Sequence, residues 1–130
     1  MKNINFKKTL SKEQYKILRE RATEMPGTGK WLYNKNKGMY VCAACGVPLF
    51  SSDTKFDSGS GWPSFYDIAS KGNVELKKDM SHGITRTKVL CAKCGSHLGH
   101  LFLDSPETPT GKRFCINSLA LDFKENKKKK

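Results

Sequence analysis

The chain has 130 residues, of which 37% are hydrophobic and 28% charged, and a formal charge of +12. That length suits one domain with a modest core, and no apolar run approaches the length of a membrane span. Met1 to Leu10 carries lysines without the apolar stretch of an export signal, so a soluble, cytoplasmic, monomeric protein with no membrane partner is expected.

The charge is concentrated at the ends. Residues 1–12 carry Lys2, Lys7, Lys8 and Lys12 with no acid, and residues 124–130 carry five lysines against Glu125. Basic tails without interleaved aromatics lack the stacking platforms of single-strand binders, so they read as solubilising and no specific nucleic acid is expected. The predicted organisation is a basic arm over 1–10, one domain over 11–123, and a disordered Lys-rich tail over 124–130.

In chain order, Ser11 is the N-cap of a capping box with Gln14, flanked by Leu10 and Tyr15 at staple positions. Tyr15, Leu18, Ala22 and Met25 follow at helical spacing until Pro26-Gly27 stops the helix. From Met39 onward the pattern becomes short strands broken by turns: Met39–Cys42, Val74–Lys77, Gly83–Leu90, His97–Leu103 and Arg113–Leu121. Residues 53–65, rich in Asp, Ser and Gly, read as an ordered loop. A mainly antiparallel β domain with one or two peripheral helices is predicted.

Four of the five cysteines form two C-x2-C-G knuckles, Cys42/Cys45 with Gly46 and Cys91/Cys94 with Gly95. In a reducing compartment such pairs are metal ligands or redox dithiols rather than structural disulfides. Two copies in one small chain favour a four-thiolate zinc site. Such a site is closed to water and therefore structural, and it would close the long loop between Cys45 and Cys91.

Cys115 is left over. With the two-residue period of a strand, Arg113, Cys115 and Asn117 share one face and Phe114 and Ile116 the other. A cationic neighbour favours the nucleophilic thiolate, although a lone cysteine is also an ordinary core residue. Two of the three histidines, His97 and His100, sit just after the second knuckle, and in an extended strand His100, Phe102 and Asp104 share a face. Imidazoles near a thiolate could supply general acid catalysis; the alternative is an H-x2-H contribution to a second metal site. Trp62, held between Gly61 and Pro63, could wall a pocket for a thioether or S-methyl group, or simply be core.

The ordered set C-x2-C-G, P-L-F, K-F-D-S-G-x-G-W-P-S-F, C-x2-C-G-S-H-L-G-H and K-R-F-C-I-N-S-L-A-L resembles the methionine-R-sulfoxide reductases of type B. These motifs span residues 38–121, with a weaker match in Thr23–Gly29. The resemblance implies a fold of two small antiparallel sheets, a structural zinc ion on Cys42, Cys45, Cys91 and Cys94, and repair of oxidised proteins by reduction of the R epimer of methionine sulfoxide, free or protein-bound. It implies that Cys115 attacks the sulfoxide sulfur and becomes a sulfenic acid, with His100 and His97 assisting protonation of the oxygen. Asn117 and Arg113 would organise the site, Trp62 would receive the S-methyl group with Phe102 beside it at the substrate site, and Asp104 would either hydrogen-bond the site or simply be solvated at a strand end. Where many members have G-C-G-W-P, this chain reads G-S-G-W-P, with Ser60 in place of the resolving cysteine. A one-cysteine enzyme is therefore expected, regenerated by an external thiol such as thioredoxin. A nucleic-acid-binding zinc module and a redox sensor or metal buffer are the rival classes.

Overall fold

A computed structural model describes residues 10–20, 25, 27, 29–69, 71–79, 86–103 and 108–125. Helix α1, Lys12–Leu18, starts at the predicted capping box. The Gln14 amide donates to Ser11 Oγ at 3.1 Å, and the Ser11 amide donates to Gln14 Oε1 at 3.0 Å. The helix is shorter than the sequence spacing predicts. It buries Ile17 and Leu18 and ends at Arg19, whose guanidinium turns away to donate to the Cys94 carbonyl at 2.9 Å and Ser96 Oγ at 3.1 Å. Ala22 lies outside the described residues, and Met25 is exposed.

The strands among the described residues form two antiparallel sheets. In the smaller, β1 (Gly38–Cys42) lies between β2 (Pro48–Ser51) and β9 (Leu121–Glu125). The larger runs β3 (Lys55–Phe56), β4 (Ser64–Phe65), β8 (Arg113–Ile116), β7 (His97–Phe102), β6 (Arg86–Cys91) and β5 (Val74–Asp79). Tyr40, Leu49 and Phe50 from the first sheet and Phe65, Val89, Phe114 and Ile116 from the second are fully buried together with Leu98. Phe50 and Phe65 stack at 4.6 Å between ring centroids, with Tyr40 edge-on to Phe65 at 5.1 Å. Burial of each such side chain contributes about 1.5–3 kcal/mol before conformational entropy is counted.

Several elements differ from expectation for a physical reason. The single strand predicted over Arg113–Leu121 is two strands, because the chain leaves the larger sheet after Ile116, makes a 3-10 turn at Ser118–Ala120, and enters the smaller sheet as β9. β9 includes Lys124 and Glu125, two residues that composition places with the Lys-rich tail. Strand β2 and the two-residue strands β3 and β4 have no counterpart among the predicted strands; the last two fall in the Ser/Gly-rich segment that reads as a loop. Among the described residues no helix is long and apolar enough to cross a membrane.

Candidate active site and metal centre

The two knuckles are built alike. The Gly46 amide donates to the Cys42 carbonyl at 2.8 Å and the Cys42 amide to the Val47 carbonyl at 2.9 Å; the Gly95 amide donates to Cys91 at 2.7 Å and the Cys91 amide to Ser96 at 2.9 Å. Both glycines sit at positive φ, 85° and 78°, a conformation that side chains on L-residues resist. Cys42 closes β1 and Cys91 closes β6, so the two knuckles bring together the ends of different sheets.

All four Sγ atoms lie within 4.8 Å of one another. Cys42 is 3.7 Å from Cys94 and Cys45 is 3.5 Å from Cys91, sulfur to sulfur. A tetrahedron with Zn–S bonds of about 2.3 Å has edges of about 3.8 Å, so the cluster has the size and donor chemistry for one metal ion. Crowding also divides the acidities of the thiols. Cys42 is pushed up by its hydrogen bonds with Cys91 and Cys94 and then by burial, whereas hydrogen bonds from Cys42 and Cys91 bring Cys94 down. A bound cation would replace this sharing of protons with four ionised ligands.

The second constellation is a row of side chains across the larger sheet. Cys115 on β8 stands directly opposite His100 on β7 and opposite Ser64 on β4. One step along, Arg113 stands opposite Phe102, and its guanidinium carbon lies 4.5 Å from the Phe102 ring centroid. Arg113 Nη1 donates to Cys115 Sγ at 3.2 Å. Ser60 Oγ and Ser64 Oγ each lie 3.6 Å from the same sulfur, and Ser58 bonds both hydroxyls at 2.8 and 2.7 Å. Cys115 keeps 7% of its surface, against none for Cys91 in the same sheet's interior.

His97 and His100 are three residues apart and would face opposite ways on a regular strand. A β-bulge alters this. Val89 pairs with Gly99, but the next residue of β6, Leu90, pairs with His97, so Leu98 is the extra residue and is fully buried. The bulge turns His97 to the face of His100, with ring centroids 5.4 Å apart. Asn117 holds this irregularity: its backbone amide and its Nδ2 both donate to the Leu98 carbonyl, at 3.0 and 2.9 Å. The side chain expected to organise the site thus acts on the neighbouring strand's backbone.

Trp62 is half-buried at the end of the serine loop; its carbonyl accepts from Ser64 Oγ at 3.1 Å, and its amide donates to Ser60 Oγ at 3.3 Å. Asp104 lies outside the described residues. Sequence reasoning misses Ser58 and Ser64, which the D-S-G-S-G-W-P-S-F motif contains but no spacing rule singles out. It also misses Gly99: a side chain there would meet the Cys115 carbonyl oxygen and lie 2.9 Å from Ile116 Cα.

A family model described as the SelR domain matches residues 10–125. A protein of Methanosarcina barkeri named peptide methionine sulfoxide reductase MsrB is 60% identical over 119 residues, 92% of this chain and 83% of its own. The chain belongs to the type B methionine sulfoxide reductase family. A protein of the same name from Leptospira interrogans is 59% identical over 121 residues, covering 93% of this chain and 92% of its own, and one from Thiobacillus denitrificans is 53% identical over 121 residues, 93% and 91%. Family membership takes in both constellations, since the match runs from before α1 to the end of β9.

Proposed function

We propose that this protein reduces methionine-R-sulfoxide to methionine, using Cys115 as the nucleophile and no second cysteine. Family membership makes it a methionine sulfoxide reductase, an oxidoreductase. The observation that carries the site assignment is the cross-strand pair His100–Cys115, with the Arg113 guanidinium 3.2 Å from the sulfur.

In this reading the Cys115 thiolate, held by charge-assisted hydrogen bonding to Arg113, attacks the sulfoxide sulfur. His100, with His97 beside it, delivers a proton to the oxygen as the S–O bond breaks. Oxygen is transferred to Cys115 as the transient bond between the two sulfurs breaks, its electron pair staying with the substrate sulfur, so methionine leaves two electrons richer and Cys115 becomes a sulfenic acid. Trp62 and Phe102 supply aromatic walls for the S-methyl group, and Asp104 stays a substrate-site candidate on its sequence spacing alone. Asn117 is a positioning residue that keeps His97 on the reacting face.

Ser60 occupies the position at which the motif resemblance leads one to expect a resolving cysteine, and its hydroxyl lies 3.6 Å from Cys115 Sγ. Serine cannot form a disulfide. The sulfenic acid is then reduced by an external dithiol such as thioredoxin, which ends as a disulfide with release of water. The metal is zinc on Cys42, Cys45, Cys91 and Cys94, and it fastens the two sheets together without entering the reaction. A cytoplasmic location, where thiols stay reduced, suits both sulfur sites, and repair of oxidised proteins is the expected role.

The test is turnover of separated R and S epimers of methionine sulfoxide with dithiothreitol. Consumption of the R epimer alone, abolished by Cys115→Ser, supports the reading. Peroxide oxidation of Cys115 without turnover would favour the sensor class. Salt-sensitive RNA binding unaffected by Cys115→Ser, with no reduction, would favour the nucleic-acid module.

A further inference from the structure

The row containing Cys115 extends further than the reaction needs. Through directly opposed residues it runs Phe56, Ser64, Cys115, His100, Lys88 and Lys77 across β3, β4, β8, β7, β6 and β5. Lys88 and Lys77 are directly opposite each other, a like-charge pair that disfavours the sheet. Neither stands directly opposite an acid: the partners of Lys88 are His100 and Lys77. Glu75 and Asp79 are on the same strand two residues either side of Lys77, across from Leu90 and Arg86. Lys88 is half-buried on β6, the strand next to the edge, and Lys77 is exposed on the edge strand β5.

Strands in a sheet are about 4.8 Å apart, which puts Lys88 about 10 Å and Lys77 about 14 Å from Cys115 along the row. An extended peptide advances about 3.4 Å per residue, so these distances match residues three and four positions from a methionine sulfoxide seated at Cys115. We propose that the Lys88–Lys77 pair is a specificity subsite that selects oxidised methionines carrying an acidic residue three or four positions away. This rests on the assignment of Cys115 as the nucleophile. A carboxylate over the two ammonium groups relieves their repulsion, and each pair it forms contributes modestly because both partners meet water. Protection of the exposed edge is the rival explanation for Lys77, but it does not account for Lys88 in the sheet interior.

The experiment compares blocked peptides with one methionine-R-sulfoxide in a Gly/Ser background and Glu, Gln or Lys three or four positions to either side. The expected order of kcat/KM for the full-length protein is Glu, then Gln, then Lys, with a Glu-to-Lys ratio of roughly five- to tenfold at low salt that shrinks in about 0.5 M salt, on the order expected of screened surface pairs. In the double variant Lys77→Gln/Lys88→Gln the ratio falls to about one, while turnover of uncharged N-acetyl-methionine-R-sulfoxide amide stays at the wild-type rate. Equal rates on Glu and Lys peptides, or a preference that persists in the double variant, would overturn the subsite. So would single-stranded RNA binding that the double variant loses while peptide preference is unchanged. Failure of the wild type to turn over the uncharged amide would instead count against Cys115 chemistry itself, which separates the two failures.

Discussion

Replacement of Gly99 by alanine tests whether close strand approach builds the site. An added Cβ would run into the Cys115 carbonyl oxygen and lie 2.9 Å from Ile116 Cα and 3.0 Å from the Cys115 carbonyl carbon. All three atoms are backbone of β8, so no side chain can swing aside; the β7–β8 pair must separate by several tenths of an ångström or more. Overpacking of this kind costs about 1–3 kcal/mol, and here the upper end applies because the strands are central in the larger sheet. With about 3–6 °C of melting temperature per kcal/mol for a domain of this size, the expected loss is about 10–15 °C. Activity should fall further than stability explains, since the same separation draws His100 away from Cys115; kcat measured well below the variant's melting range should drop at least tenfold. Gly72→Ala is the control, because nothing lies within 4 Å of its added Cβ and its φ is not in the left-handed region. A Gly99→Ala protein that melts with the wild type and retains full kcat would show that close approach of β7 and β8 does not build the site.

Asn117→Ala removes one of two hydrogen bonds to the Leu98 carbonyl and should cost about 1–2 kcal/mol. Its kcat should fall about tenfold with an altered acid limb in the pH profile while Cys115 alkylation by iodoacetamide is unchanged; slowed alkylation would place Asn117 at the sulfur instead. Metal analysis should find one zinc per chain, and removal by a chelator should lower the melting temperature by more than about 10 °C, because an ion on the four cysteines would tie the end of β1 to the end of β6; an unchanged melt after complete removal would contradict a structural role. Burial raises the Tyr40 phenol above its ordinary 10.0, opposed by the hydrogen bond from Asn34. The native state therefore holds its proton longer than the unfolded chain, and its contribution is full below about pH 10 and lost as pH rises through the native value. Melting curves from about pH 9 to 11.5 should show Tyr40→Phe falling less steeply than the wild type; parallel curves would refute this.

The parts of the molecule legible in the sequence are those fixed by local chemistry. The capping box at Ser11 and Gln14, the two C-x2-C-G knuckles, and the alternation that puts Arg113 beside Cys115 each depend on neighbours within a few residues, and the structure keeps each of them. What is not legible depends on distant partners. β2, β3 and β4 are too short for periodicity to announce, and exist because β1 and β8 pair with them. The helix ends early because Arg19 finds Cys94 and Ser96, more than seventy residues on. The orientation of His97 follows from a bulge that only the β6–β7 register reveals, and Asn117 reads in sequence as a neighbour of the thiol when its amide serves the Leu98 carbonyl. The serine cluster is hidden for the same reason: Ser60 and Ser64, joined through Ser58, converge on a cysteine more than fifty residues away.

Whether Cys115 takes the oxygen without help from a second cysteine can be read from a single turnover in the absence of reductant. The enzyme is mixed with excess methionine-R-sulfoxide, methionine is quantified, and the protein is trapped with dimedone and mapped by mass spectrometry. About one methionine per chain is expected, with a dimedone adduct on Cys115 alone in the wild type. The Ser60→Cys variant should give a disulfide between the introduced thiol and Cys115 in place of the adduct. A wild-type disulfide, or methionine formed with Cys115 still a free thiol, would rule out Cys115 as a nucleophile working without a second cysteine.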